Sequence, residues 1–375
     1  MIIDAAFPGG NIVVEKQQDC SVWLHQDLRD TTEDWFYWYF RVREAPCGKL
    51  QFNFTKSPAI GVRGPAVSLD GGRSWQWLGA AAANNNRFEY DNQNGDAELR
   101  FSFGMPYLEE DWRRFCDNLV DADCFSQHQL CISAAGRPVE YALLGCDDRT
   151  VRHRVALACR HHCCEMMANY VLEGFIERIA MGADETAQWF RKNVQCFIVP
   201  FADKDGVENG DQGKLRQPRD HGRDYLGKSI FPETAAIREL LPAWGGELLH
   251  AVFDLHCPHI RGKHNENIYL VGNQASATAR EQRRFSELLE SLCQGPLPFH
   301  AADYLPFGQD WNSGANYSSG KGFSRWAAEL PPVRMGTAIE TPYANAGGAE
   351  VNATSAKMFG TDLAAALAAY LNTIF

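Results

Sequence analysis

The stretch ACRHHCCEMMANYVLEGFIERI, Ala158–Ile179, decides how the rest of the chain is read. Met166, Met167, Tyr170, Val171, Phe175 and Ile176 recur at three-and-four spacing, the pattern of a helix with one face in a core. Its opening carries His161, His162, Cys163, Cys164 and Glu165, a cluster that packing alone does not call for. His162 and Glu165 lie three apart, so on one helical turn they project the same way and could share a metal ion. Consecutive helical residues diverge by about 100°, so at most one of Cys163 and Cys164 could join them. His161 reads as a surface residue, as do His259 and His264.

Outward from this stretch, short apolar runs alternate with helical periodicity. YALLGC, RVALACR, CFIVPF, LLHAVFDLH, NIYLVG and GTAIETPYA read as strands, and 166–180, 185–193, 277–293 and 361–374 read as helices. That is an α/β domain with a largely buried mixed sheet between helices. The first part of the chain differs: DWFYWYFRVRE, KLQFNFT and AELRFSFGM are aromatic or alternating runs, separated by turn signals at 70–72 and 84–87. We expect an antiparallel β-sandwich domain over 1–117 and an α/β/α catalytic domain over 118–375.

Composition narrows the partners. The chain of 375 residues has 36 basic and 47 acidic side chains, a net charge of −11, and no basic stripe, which argues against nucleic acid. The first residues lack a charged start followed by an apolar run, and nowhere do eighteen apolar residues follow one another. A soluble, cytoplasmic protein without a membrane partner is the expectation. The twelve cysteines are scattered, as reduced and mostly buried thiols would be. Oligomeric state is left open.

A third metal ligand is suggested by AVFDLHCPH, where His256 stands at the end of an apolar strand, the place where ligands gather in α/β sheets. Two histidines, a carboxylate and an open position for water are a hydrolytic zinc set. A core or strand-end histidine is the bland alternative for His256. Asp254, two residues earlier, falls on the same strand face and either orients a ligand histidine or forms a structural ion pair.

These segments resemble the carboxypeptidase A-type zinc peptidases, most closely the cytosolic carboxypeptidase subfamily with its N-terminal sandwich. Arg160, His162 and Glu165 are in step with the first metal motif, with Cys163 and Cys164 replacing its Pro-Gly, and Asp254-Leu255-His256 matches the second. FIVPFADKDGVENG and VRGPAVSLDGGRSWQWLG resemble two further family segments, so the likeness runs over nearly the whole chain. It implies Zn(2+) held by His162, Glu165 and His256, with Glu340 as general base and Tyr317 as the mobile active-site tyrosine.

For the substrate's terminal carboxylate the family uses an Asp-x-Asn-Arg segment and an arginine about ten residues upstream. Here Asp220 and Arg223 match, but Gly222 and Gly213 stand at the other two positions; Arg216 or Arg219 could substitute by a shift of register. The pocket-floor position falls at Ser324, followed by Arg325, with Lys321 nearby. Cations beside a polar floor would suit an acidic side chain; the alternative is that they face solvent. The implied activity is zinc-dependent hydrolysis of a C-terminal peptide or peptide-like amide bond. Two other readings stay open: an amidohydrolase acting on acylated amino acids or cell-wall peptides, and a non-catalytic binding protein.

Overall fold

A computed structural model describes residues 1–84, 86–95, 98–147 and 150–374. Its seven-stranded mixed sheet runs in the order Phe125–Ile132, Pro138–Gly145, Val194–Val199, His153–Cys159, Leu249–His256, Met335–Glu340 and Tyr269–Val271. The four strands from Val194–Val199 to Met335–Glu340 are mutually parallel, and the outer pairings are antiparallel. Val194–Val199 and Leu249–His256 are buried at every position, which is why they read as unbroken apolar runs rather than alternating ones.

Helix Met167–Met181 is buried almost all round over its first ten residues, so the expected single apolar face is too narrow a reading. The cause is helix Ala353–Leu371, which crosses it closely. A side chain on Gly360 would collide with the carbonyl of Val171, and one on Gly174 with that of Lys357, so glycine at the crossing lets the two backbones touch. Ala353–Leu371 begins eight residues before its expected start, where Asn352 and Ser355 form reciprocal capping hydrogen bonds. Helices Glu185–Asn193 and Ser276–Leu292 match their patterns. Helix Pro232–Gly245 has no counterpart among the expected elements, because Pro242 interrupts its pattern.

Residues 2–102 form two five-stranded sheets facing one another across an aromatic core. Phe40, Phe52, Phe88 and Phe101 lie ring against ring, and Trp38 stacks on Phe88. One pairing departs from the antiparallel expectation: Ser21–His25 runs parallel to Gly48–Phe54. The buried core is continuous from these sheets through Met105, Tyr107 and Trp112 to helix Met167–Met181.

Candidate active site

Strand His153–Cys159 ends at Arg160, whose left-handed backbone (φ 63°) turns the chain sharply. The Arg160 guanidinium is buried and donates to the carbonyls of Cys163 and Tyr107 and to Asn169 Oδ1. Those bonds hold residues 160–165 as a tight turn. His162 and Glu165 therefore sit on this turn and not on the helix, which starts only at Met167; Glu165 N donates to His162 O at 3.1 Å.

Strand Leu249–His256 brings the third group alongside. His162 Nδ1 lies 2.8 Å from Glu165 Oε1, and His256 Nδ1 lies 2.6 Å from Glu165 Oε2. One donor atom from each residue falls within 4.8 Å of the others, and all three side chains are buried. Burial, opposed by Glu165, pushes His162 down to about 4, so its ring is a neutral donor at pH 7. Burial acts on His256 too, but Asp254 and Glu165 outweigh it and hold that ring protonated far above the usual imidazole range. Burial disfavours the Glu165 anion, yet His162, His256 and Lys214 keep it well below the usual carboxylate range. Two imidazoles and an ionised carboxylate converging out of water suit a divalent cation of zinc type, and its entry would displace the His256 proton. The neighbouring thiols are engaged with other partners. Cys163 Sγ donates to Asp211 O, Cys164 Sγ accepts from Trp35 Nε1, and burial pushes Cys164 up to about 12.

Behind the cluster, Asp254 Oδ2 is 2.9 Å from His256 Nε2, and Asp254 Oδ1 is 2.7 Å from His161 Nδ1. His161 Nε2 in turn meets Tyr225 OH at 2.7 Å. His161 is thus fully enclosed, against the surface position expected for it, while His259 is exposed and His264 partly so. In the next parallel strand Glu340 stands directly opposite His256. Its Oε2 is buried without a hydrogen-bond partner, and burial raises its pKa to about 7.

The facing wall consists of loops. Arg216 is held by Asp30, Asp203 and Asp211, and Arg219 by Asp224 and the carbonyl of Lys228, so both guanidiniums are already occupied. Arg223 makes no direct ion pair among the described residues, though its charge acts on Asp220; it donates to Gly222 O and Asn316 Oδ1. The glycines at the two unexpected positions have a steric cause. A Cβ at Gly222 would lie 2.5 Å from His162 Nε2, and one at Gly213 would strike Cys163. Asp220 Oδ1, otherwise unbonded, faces His162 Nε2 at 3.8 Å.

A cavity of about 570 Å³ opens between the walls and reaches His162, His256 and Glu340. Ser324, Tyr317 and Arg325 line it. The Tyr317 hydroxyl donates to Asn312 Oδ1, and the Arg325 guanidinium lies 3.6 Å from the centre of the Tyr317 ring with its Nη2 unbonded. Lys321 is tied to Glu329 and does not line the cavity. Sequence reasoning missed the parts played by His161, Tyr225 and Lys214. Lys214 Nζ lies 3.1 Å from His162 Nδ1, and its only signal was its place beside Gly213.

Over its whole length the chain superposes on a metallo-carboxypeptidase from Burkholderia cenocepacia, with a TM-score of 0.81 and 19% identity, covering 100% of this chain and 99% of the other. A metallo-carboxypeptidase from Pseudomonas aeruginosa, in complex with (2-guanidinoethylmercapto)succinic acid, gives 0.78 and 18%, with 99% of each chain covered. Carboxypeptidase A from Helicoverpa armigera matches 70% of this chain and 74% of its own at a TM-score of 0.51 and 14% identity. An uncharacterized protein from Zymomonas mobilis is 26% identical over 223 residues, which are 56% of this chain and 55% of that relative, so the match spans about half of the relative's length. No protein-family model matches the chain. The fold of this chain is that of the metallo-carboxypeptidases.

Proposed function

We propose that the protein is a zinc-dependent metallocarboxypeptidase of the cytosolic carboxypeptidase kind, hydrolysing a C-terminal peptide or peptide-like amide bond. One observation carries this reading: His162, Glu165 and His256 converge beside Glu340, whose carboxyl keeps a free buried oxygen facing no partner. The three would hold the metal. Zinc, when bound, brings the pKa of a coordinated water towards about 7 and polarises a carbonyl.

The remaining work falls to the chain. Glu340 accepts the proton of the attacking water and returns it to the leaving nitrogen, a task suited to a carboxyl tuned towards neutrality. Asp254 holds His256 so that Nδ1 faces the cluster. Arg223 is our candidate for the substrate's terminal carboxylate, since Arg216 and Arg219 are taken. Arg325 beside Ser324 favours an acidic side chain by charge pairing. Twelve unpaired thiols fit a reducing compartment such as the cytoplasm, and among the described residues no helix is long and apolar enough to cross a membrane.

The test is a panel of zinc-loaded assays on peptides ending in Glu, Asp, Leu, Phe or Lys, each with a free or an amidated C-terminus. Release of the last residue only from free termini, fastest for Glu or Asp, supports the proposal. Equal cleavage of amidated peptides would favour an amidohydrolase.

A further inference from the structure

We propose that Lys214 supplies the positive charge that meets the carbonyl oxygen of the scissile amide. The inference rests on the carboxypeptidase reading of the site. Among the described residues no arginine forms a hydrogen bond or ion pair with His162, Glu165 or His256, yet the Lys214 ammonium stands 3.1 Å from His162 Nδ1 and 3.7 Å from Glu165 Oε1. Among the described residues Glu165 is the one carboxylate within ion-pair distance of it, with Asp220 and Glu340 farther off. A metal ion in the cluster would claim the Glu165 charge, leaving the ammonium in search of another anion beside the reacting centre. An oxyanion formed from the carbonyl is that anion.

The backbone is built to hold Lys214 there. Gly213 and Leu215, on either side, both adopt left-handed conformations, with φ of 71° and 52°. A leucine rarely accepts that conformation unless its surroundings impose it. Gly213 N donates to Asp30 Oδ2 and Leu215 N to Asp220 Oδ2, so carboxylates fix the main chain before and after the lysine. Gly213 also presses on Cys163, next to the ligand His162, where no side chain fits. Any side chain at 213 is thereby excluded, and the cation on this turn stands at 214. The Lys214 ammonium lies over the Trp35 ring, with Nζ 5.6 Å from the ring centre, and the side chain remains 24% exposed on the lining of the cavity. Such a side chain is mobile enough to follow a carbonyl oxygen as charge develops on it.

The experiment compares wild type, Lys214→Met and Lys214→Arg. Cobalt-loaded protein is titrated with inorganic phosphate, a tetrahedral oxyanion, and read by its visible spectrum; metal affinity is measured by chelator competition, and kcat and KM on the best peptide. We expect phosphate binding to weaken roughly tenfold or more in Lys214→Met, the size of a lost charge-assisted hydrogen bond. It should recover most of that loss in Lys214→Arg. Metal affinity should hold or rise, because a neighbouring cation is removed. The kcat of Lys214→Met should fall roughly 10²–10³-fold, as on loss of an oxyanion donor. Unchanged phosphate affinity would overturn the inference, as would a parallel loss of metal affinity, which would make Lys214 a support for the cluster. If wild type cleaves no peptide, the carboxypeptidase reading fails, and the phosphate titration still decides the role of Lys214.

Discussion

The two walls of the cleft are built differently. On one side His256 and Glu340 sit at the ends of adjacent parallel strands, with His162 and Glu165 on a turn stapled by Arg160; their positions follow from sheet hydrogen bonding and a buried guanidinium. On the other, residues 211–223 form a loop without a ladder, held largely by side chains distant in sequence. Asp30, from the first part of the chain, accepts from Gln212 N, Gly213 N and Arg216 Nε, each at 2.9 Å. Under the proposed function, chemistry that needs fixed geometry falls to the sheet, and selectivity falls to the wall that distant residues can adjust.

The largest expected effect breaks the sheet-borne wall. Glu340→Gln should lower kcat roughly 10²–10⁴-fold, the range for a general base, with metal content retained. Loss of the metal with the activity would make Glu340 a support for the ligands instead. Asp30→Ala tests the loop wall from outside the cavity. It should reduce kcat/KM by roughly 10²-fold through misplacement of the loop and leave zinc affinity within a few-fold. A zinc affinity that falls as far as kcat/KM would erase the distinction between the walls. Arg325→Met should be gentler, cutting the preference for Glu over Leu at the C-terminus about tenfold by removing one charge pair of ~1.4 kcal/mol; competition between the two peptides reads it.

Much of the sheet-borne wall was legible because its residues are near neighbours in sequence or lie at strand ends. His162 and Glu165 are three apart, and His256 closes a run with an uninterrupted apolar pattern. The enclosure of His161 was not legible, since its partners Asp254 and Tyr225 come from segments 93 and 64 residues away. The loop wall was harder for the same reason. A residue's identity at 213 or 222 does not disclose that Cys163 or His162 lies against it, so two glycines read as missing functional groups are in fact sites of close approach. Arg216 and Arg219 looked free because the carboxylates that hold them are not marked by any local pattern. In the fold, the buried strands of the central sheet were plain from their apolar runs, but the edge strand Phe125–Ile132 is largely exposed and carries no such run, helix Glu109–Asp117 falls in a stretch that read as all-β, Pro242 hid another helix, and the start of the last helix rested on the Asn352 cap rather than on periodicity.

A separate effect, read without substrate, concerns stability in the metal-free protein. Glu340 has a folded-state pKa of about 7 against an ordinary 4.5. A raised carboxyl favours the folded state below about pH 4.5, and that contribution is lost as pH rises through about 7. Metal-free wild type should therefore lose stability against Glu340→Gln between those values. Denaturant midpoints at about pH 5 and pH 8 check this; a constant gap would mean that the buried carboxyl is already ionised at the lower pH.

X-ray absorption at the zinc edge of the loaded protein tests the ligand set most directly. We expect only nitrogen and oxygen neighbours, at about 2.0–2.2 Å. A sulfur neighbour at about 2.3 Å would assign the ion to Cys163 or Cys164 and contradict the site built on His162, Glu165 and His256.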